Sequence, residues 1–296
     1  MFIRRTLKYG ISFVSAVLLA TGITGSAYAG SIYLTGHDVL LHSGQNSYDA
    51  VILDFLRGAG TGDEIAKADY DISVVGTTGV GFARFSGQAS NIVGANGSAI
   101  SLTGSLAGFG GATFYDAQTA NWTTVLSADA LVILSFTGCG GCSLTSAGSA
   151  AVNAQSAAIA TAFNADMDIW GLSGDGLSTY YDFLPPGATS TGPSISGSSG
   201  FTATADGAAL GITSSMINGF PTHNRFDAFD PDFTVFETRL ISGIDEKISI
   251  GIRDATITDG DIGDGDMDVP EPVSLALFGI GLGGIGFLMR RRRKAA

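Results

Sequence analysis

Apolar residues fall along this chain in short runs punctuated by Gly, Ser, Thr and Asp. The spacing within each run predicts its structure. Leu131 to Phe136 (LVILSF) is nearly continuous, as expected of a strand buried on both faces in a parallel sheet. Ser31 to Thr35, Asp71 to Val75 and Met167 to Leu172 predict further strands, and Phe233 to Thr238 and Lys247 to Ile252 predict two late ones. Ser47 to Arg57 (SYDAVILDFLR) places apolar residues at helical spacing and stops at Gly58, a helix with a glycine C-cap signal. The Ala-rich stretch Ser149 to Phe163 predicts a second helix. Strand–helix–strand order at the start, and again over 131–172, predicts βαβ units in an α/β fold with an open, mostly parallel sheet and flanking helices. Residues 76–115 are Gly/Ser/Thr-rich with short alternating runs and predict a β insertion of hairpins or irregular chain. Pro185 to Gly200 predicts a surface loop. An all-β sandwich is the competing architecture.

Charge divides the chain into unlike parts. The 296 residues carry 15 Lys and Arg against 27 Asp and Glu, a net charge of −12. Eight of the basic residues sit at the two ends, leaving residues 30–269 with seven basic and 26 acidic residues, a net of −19. A body of that sign excludes a nucleic-acid binder, which needs a basic footprint. A hydrophobic content of 45% excludes wholesale disorder.

At the front, Arg4, Arg5 and Lys8 precede a mostly apolar run, Ile11 to Thr24, and then Ala27-Tyr28-Ala29. A basic start, a short apolar stretch and small residues at the two positions that signal peptidase reads make a secretory signal peptide over 1–29. Cleavage after Ala29 would start the mature chain at Gly30, with a globular extracytoplasmic domain over 30–258. At the back, an acidic Gly/Asp linker over 259–269 leads to Pro270-Glu271-Pro272. Seventeen uncharged residues follow, 273–289, then Arg290, Arg291, Arg292, Arg293 and Lys294. The prolines hold an extended, accessible segment. The apolar run is about the ~17 residues that a membrane-spanning helix needs at minimum, and the basic cluster would stop it at the cytoplasmic face.

Motif, span and basic end, in that order over 270–294, closely resemble the PEP-CTERM sorting signal of Gram-negative bacteria. The resemblance implies recognition by an exosortase, a membrane transpeptidase-like enzyme. The tail would be removed near the motif, and the body released or displayed at the cell surface. It also implies a setting of extracellular polysaccharide and biofilm matrix. The expected path is therefore export, an inner-membrane intermediate, and then the cell surface or exterior.

Within the body, Ile32 to Asp38, Asp129 to Leu134 and the strand–turn Trp170-Gly171-Leu172-Ser173-Gly174 resemble the class I glutamine amidotransferase-like layout. That resemblance implies a flavodoxin-like three-layer sandwich with a nucleophile elbow after a central strand. The active family carries Cys at the elbow; the matching position here is Ser173. Apart from the resemblance, His223 in Pro221-Thr222-His223-Asn224 could serve Ser173 as general base, with Asp227 or Asp230 to orient it. His37-Asp38, at a strand's end, could equally line a pocket. Cys139-Gly140-Gly141-Cys142 holds the chain's two cysteines. After export the pair predicts a local disulfide; zinc would need two more ligands, and Cys139 is an alternative nucleophile. Asp259, Asp261, Asp264, Asp266 and Asp268 alternate with glycines, suiting either a solvated linker or a Ca²⁺ site, though the spacing is not that of an EF-hand. No other cofactor is indicated. The leading expectation is a non-enzymatic structural or binding role in envelope or matrix. The rival is a secreted hydrolase or amidotransferase-like enzyme using Ser173 or Cys139 with His223, and hydrogen-bond reach between those groups separates the two.

Overall fold

The computed structural model describes residues 30–38, 46–79, 95–136, 143–192, 194–219, 221–258 and 261–263. In chain order the first half runs β1 (Ile32–Thr35), α1 (Asn46–Leu56), β2 (Asp71–Gly76), β3 (Ser98–Ile100), β4 (Gly111–Asp116), α2 (Trp122–Val125) and β5 (Ala130–Ile133). Next come α3 (Ser146–Asn153), α4 (Ser156–Phe163), β6 (Asp168–Gly171), β7 (Thr189–Thr191) and β8 (Phe201–Ala203). The chain continues through α5 (Ala205–Ala209), α6 (Ser214–Ile217), β9 (Phe226–Phe229), β10 (Thr234–Ile241), β11 (Ile244–Ile252), β12 (Thr256–Thr258) and β13 (Asp261–Gly263).

Eleven of these strands make one mixed sheet, ordered β3-β4-β2-β5-β6-β1-β11-β10-β8, with β9 pairing β11 and β7. The five central strands β4-β2-β5-β6-β1 are all parallel. Antiparallel strands extend both ends: β3 beside β4, and β11, β10 and β8 beyond β1. The chain is an α/β protein, and the expectation of an all-β sandwich is not met. Continuous apolar runs dictate the layers, because alternate residues leave opposite faces of a strand. Tyr33, Val132 and Trp170 join Leu53 and Phe55 of α1 in one core. Leu34, Leu131, Ile133 and Ile169 join Ile159 and Phe163 of α4 in the other.

Three local expectations are corrected. The helix expected over 149–163 is two helices, with Ala154 and Gln155 as a break between them. Part of the stretch read as an insertion is integral to the sheet. In β4, Ala112, Phe114 and Asp116 are buried in alternation, and the strand runs parallel to β2. The 185–200 segment is not simply surface loop: β7 pairs β9, and Ala188 and Ile195 are buried.

Strand order also decides the amidotransferase-like resemblance. Numbered in chain order, the five parallel strands lie 3-2-4-5-1, whereas a flavodoxin-like sheet runs 2-1-3-4-5. The first strand lies between β6 and β11 instead of beside β2. That layout gains no support here.

Candidate functional site

The carboxyl ends of β1 and β6 meet the segment Thr222-His223-Asn224, and this junction gathers most of the polar residues singled out above. Gly36, the first residue past β1, makes the approach possible. Its N–H donates to Ile248 O at 2.7 Å, and its carbonyl accepts the His223 N–H at 2.9 Å. A Cβ on Gly36 would lie 1.8 Å from the Asn224 carbonyl oxygen. Only glycine lets the two backbones come this close. The next residue, His37, forms an antiparallel bridge with Thr222.

Beneath the junction lies a buried polar network. Glu237 of β10 is fully buried; its Oε2 lies 2.7 Å from His37 Nε2, while its Oε1 accepts the hydroxyls of Tyr33, at 2.9 Å, and Tyr48. His37 Nδ1 lies 2.6 Å from Thr222 Oγ1. One proton on Nε2 satisfies both contacts, since that nitrogen donates to Glu237 and Nδ1 accepts from the threonine. Burial, and then the Glu237 charge, push the pKa values of Tyr33 and Tyr48 well up, so both phenols stay protonated donors. His37 is therefore a structural group with both ring nitrogens engaged.

Above the network the second histidine is partly open. His223 Nε2 donates to Asp38 Oδ2 at 3.0 Å, and 19% of its side chain is accessible. Burial opposes its charged form. The Asp38 hydrogen bond and the charges of Asp38 and Asp175 outweigh that opposition and raise its pKa. Burial likewise raises the Asp175 pKa, with Asp38 adding to the rise and His223 opposing it. The three groups form an acid-biased cluster around one imidazole. The orienting carboxylate is Asp38 of the strand end; Asp227 pairs with Arg225 at 3.2 Å, and Asp230 lies beside Asp261.

Ser173 does not form the expected pair with His223. It is fully buried, its Oγ donates to Asn224 Oδ1 at 2.8 Å, and it accepts the Asp175 N–H at 3.3 Å. No hydrogen bond joins it to His223. Asn224 Oδ1 also accepts the Gly174 N–H at 2.9 Å, so the turn after β6 is clamped onto the 222–224 segment. Cys139 and Cys142 lie outside the described residues, as do Asp259, Asp264, Asp266 and Asp268; Asp261 is in β13. Among the described residues no group of three or more His, Cys, Asp or Glu is arranged to hold a metal ion.

Open α/β sheets bind ligands outside the carboxyl ends of their parallel strands. Here the chain's own tyrosines occupy much of that position. Tyr180 OH donates to the carbonyls of Ile133 and Leu134 at the end of β5, both at 2.9 Å. Tyr181 OH donates to Leu172 O at 2.8 Å and Thr35 O at 3.4 Å, at the ends of β6 and β1. Both rings are buried and stack edge to face with centroids 4.6 Å apart. The carbonyls of Ile133, Leu134, Leu172 and Thr35, at the ends of β5, β6 and β1, are thus satisfied from within.

Among the described residues no helix is long and apolar enough to cross a membrane; the span expected over 273–289 lies outside them, with the signal peptide, Pro270-Glu271-Pro272 and Arg290 to Lys294. No curated protein and no solved structure matches the chain. Residues 268–293 match the PEP-CTERM protein-sorting motif, which supports an exported protein sorted by an exosortase.

Proposed function

We propose that this protein is exported, freed of residues 1–29 by signal peptidase, and released or displayed after an exosortase acts at Pro270-Glu271-Pro272. We further propose that its body serves a non-enzymatic structural or binding role among extracellular polysaccharide. The sorting motif at 268–293 carries the first part of the reading. For the second, the supporting observation is the tyrosine cap on the ends of β5, β6 and β1. Tyr180 and Tyr181 cap the carbonyls there, and the one hydroxyl suited to an elbow, Ser173, is buried against Asn224. Among the described residues the junction offers to solvent one edge of His223, flanked by Asp38 and Asp175, a polar contact surface.

Replacing Pro270, Glu271 and Pro272 by alanines tests both parts when cells, matrix and medium are separated and probed for the protein. The expected result is wild-type protein in the matrix fraction and the variant held in the membrane fraction. Identical distribution of the two would overturn the sorting reading. Wild-type protein wholly free in the medium would overturn the matrix role while leaving sorting intact.

A further inference from the structure

The residue that cleavage would expose, Gly30, is itself buried. Its N–H donates to Phe163 O at 3.1 Å, and its carbonyl accepts the Ala255 N–H at 3.1 Å. A Cβ here would lie 2.3 Å from Met167 O and 2.7 Å from the Phe163 ring, so the position admits only a residue without a side chain. One residue on, the Ser31 N–H donates to Asp168 Oδ1 at 2.7 Å, and Asp168 Oδ2 accepts the Tyr70 hydroxyl at 2.6 Å. Successive backbone nitrogens are separated by roughly 3 Å, which places Gly30 N within about 6 Å of the Asp168 carboxyl.

The surroundings of Asp168 are short of positive charge. Asp166 lies close to it and also faces Asp129 and Asp254. A cation, Arg253, does reach it: its guanidinium sits 4.4 Å over the Phe55 ring and faces both Asp254 and Asp168. With Gly30 N as a neutral amide, burial holds the Asp168 pKa up at about 8, with the Tyr70 and Ser31 hydrogen bonds only partly opposing it. In an unprocessed chain, burial thus weighs against the ionised form of this carboxyl.

We propose that Asp168 is the buried receptor for the α-ammonium group created at Gly30 by signal-peptide cleavage, so that processing adds a cation to this carboxyl cluster beside Arg253. Hydrolysis adds water across the Ala29–Gly30 bond, leaving a carboxylate on Ala29 and an ammonium on Gly30. One N–H of that ammonium keeps the Phe163 carbonyl, and the others are free to turn toward Asp168. The carboxyl then ionises and the two charges compensate each other within the core. This rests on the export reading above, specifically on cleavage after Ala29.

The test uses the mature protein recovered from outside producing cells, with acetic anhydride as the probe of its α-amine and mass spectrometry of the N-terminal peptide as readout. The expected peptide begins at Gly30. Its amine should react at least about tenfold more slowly in the native protein than in denaturant, as for a group reached only through opening. Asp168→Asn should bring the native rate up toward the denatured one. A second variant, with one serine inserted between Ala29 and Gly30, keeps Asp168 but moves the ammonium by about 3.6 Å. It should label quickly. Its stability should be full below about pH 4 and fall as pH rises to about 8, a loss absent from the wild type. A Gly30 amine that labels as fast in the native state as in denaturant overturns this proposal and leaves export standing. So does an insertion variant with wild-type protection and pH response. An N-terminus elsewhere than Gly30 overturns the cleavage position and this proposal with it.

Discussion

Glu237→Ala is expected to destabilise the protein by about 3–5 kcal/mol, because three buried donors lose their acceptor at about 1–3 kcal/mol each. The carboxylate has no exposure and receives His37, Tyr33 and Tyr48. Alanine would leave an imidazole and two phenol hydroxyls facing each other in the core with their acceptor gone. The tyrosines cannot adapt by ionising, since burial already holds their protons on. Glu237→Gln keeps the shape but turns an N–H toward groups that are themselves donors, and should lose a smaller ~1–3 kcal/mol. Urea unfolding at constant m reads both values. A loss under about 1 kcal/mol for the alanine variant would show that water can stand in for the carboxylate, against a network closed to solvent.

Gly36→Ala is the second large effect, because it acts on backbone. The new Cβ would fall 1.8 Å from Asn224 O and 2.9 Å from its carbonyl carbon. Neither atom can swing aside like the end of a side chain, so the 222–224 segment must withdraw from β1. That movement breaks the His223 N–H to Gly36 carbonyl bond and the His37–Thr222 bridge. It also parts His223 from Asp38 and loosens the Asn224 clamp on Ser173. A stability loss of about 3 kcal/mol, the upper end for overpacking, is expected. The His223 pKa should drop as well, because the Asp38 bond that raises it is lost. Histidine NMR titration with an unchanged His223 midpoint would mean that the junction does not depend on this close approach.

The sequence disclosed the elements better than their arrangement. The runs 31–35, 71–75, 131–136 and 167–172 became parallel strands because a strand covered on both faces must be apolar throughout. The helix at 47–57 was legible from its spacing and from Gly58, which has φ +72° at the helix end. Strand order was not legible. Nothing within Ile32–Thr35 says that it will pair β6 and β11, because that choice depends on which distant faces need covering.

The site shows the same division. His37, Asp38, Ser173 and His223 stood out as polar residues at strand ends and turns, yet their partners did not. Asp38 is 185 positions from His223, and Ser173 is 51 from Asn224. Glu237 escaped notice for a local reason. The β10–β11 register shifts on either side of Glu237, a bulge that buries Phe236 and Glu237 in succession. Strict alternation would have placed one of the two in solvent. The tyrosine cap was equally silent, since Tyr180 and Tyr181 lie in a stretch without periodicity.

Export with trimming at both ends, as proposed above, would leave only the acidic α/β body outside the cell. The intact mass of the protein collected outside producing cells tests it most directly. The expected result is one species that starts at Gly30 and ends near Pro270-Glu271-Pro272, lacking the apolar run and the terminal basic cluster. A species that retains residues 1–29 or 273–296, or a protein found only inside the cell, would contradict it.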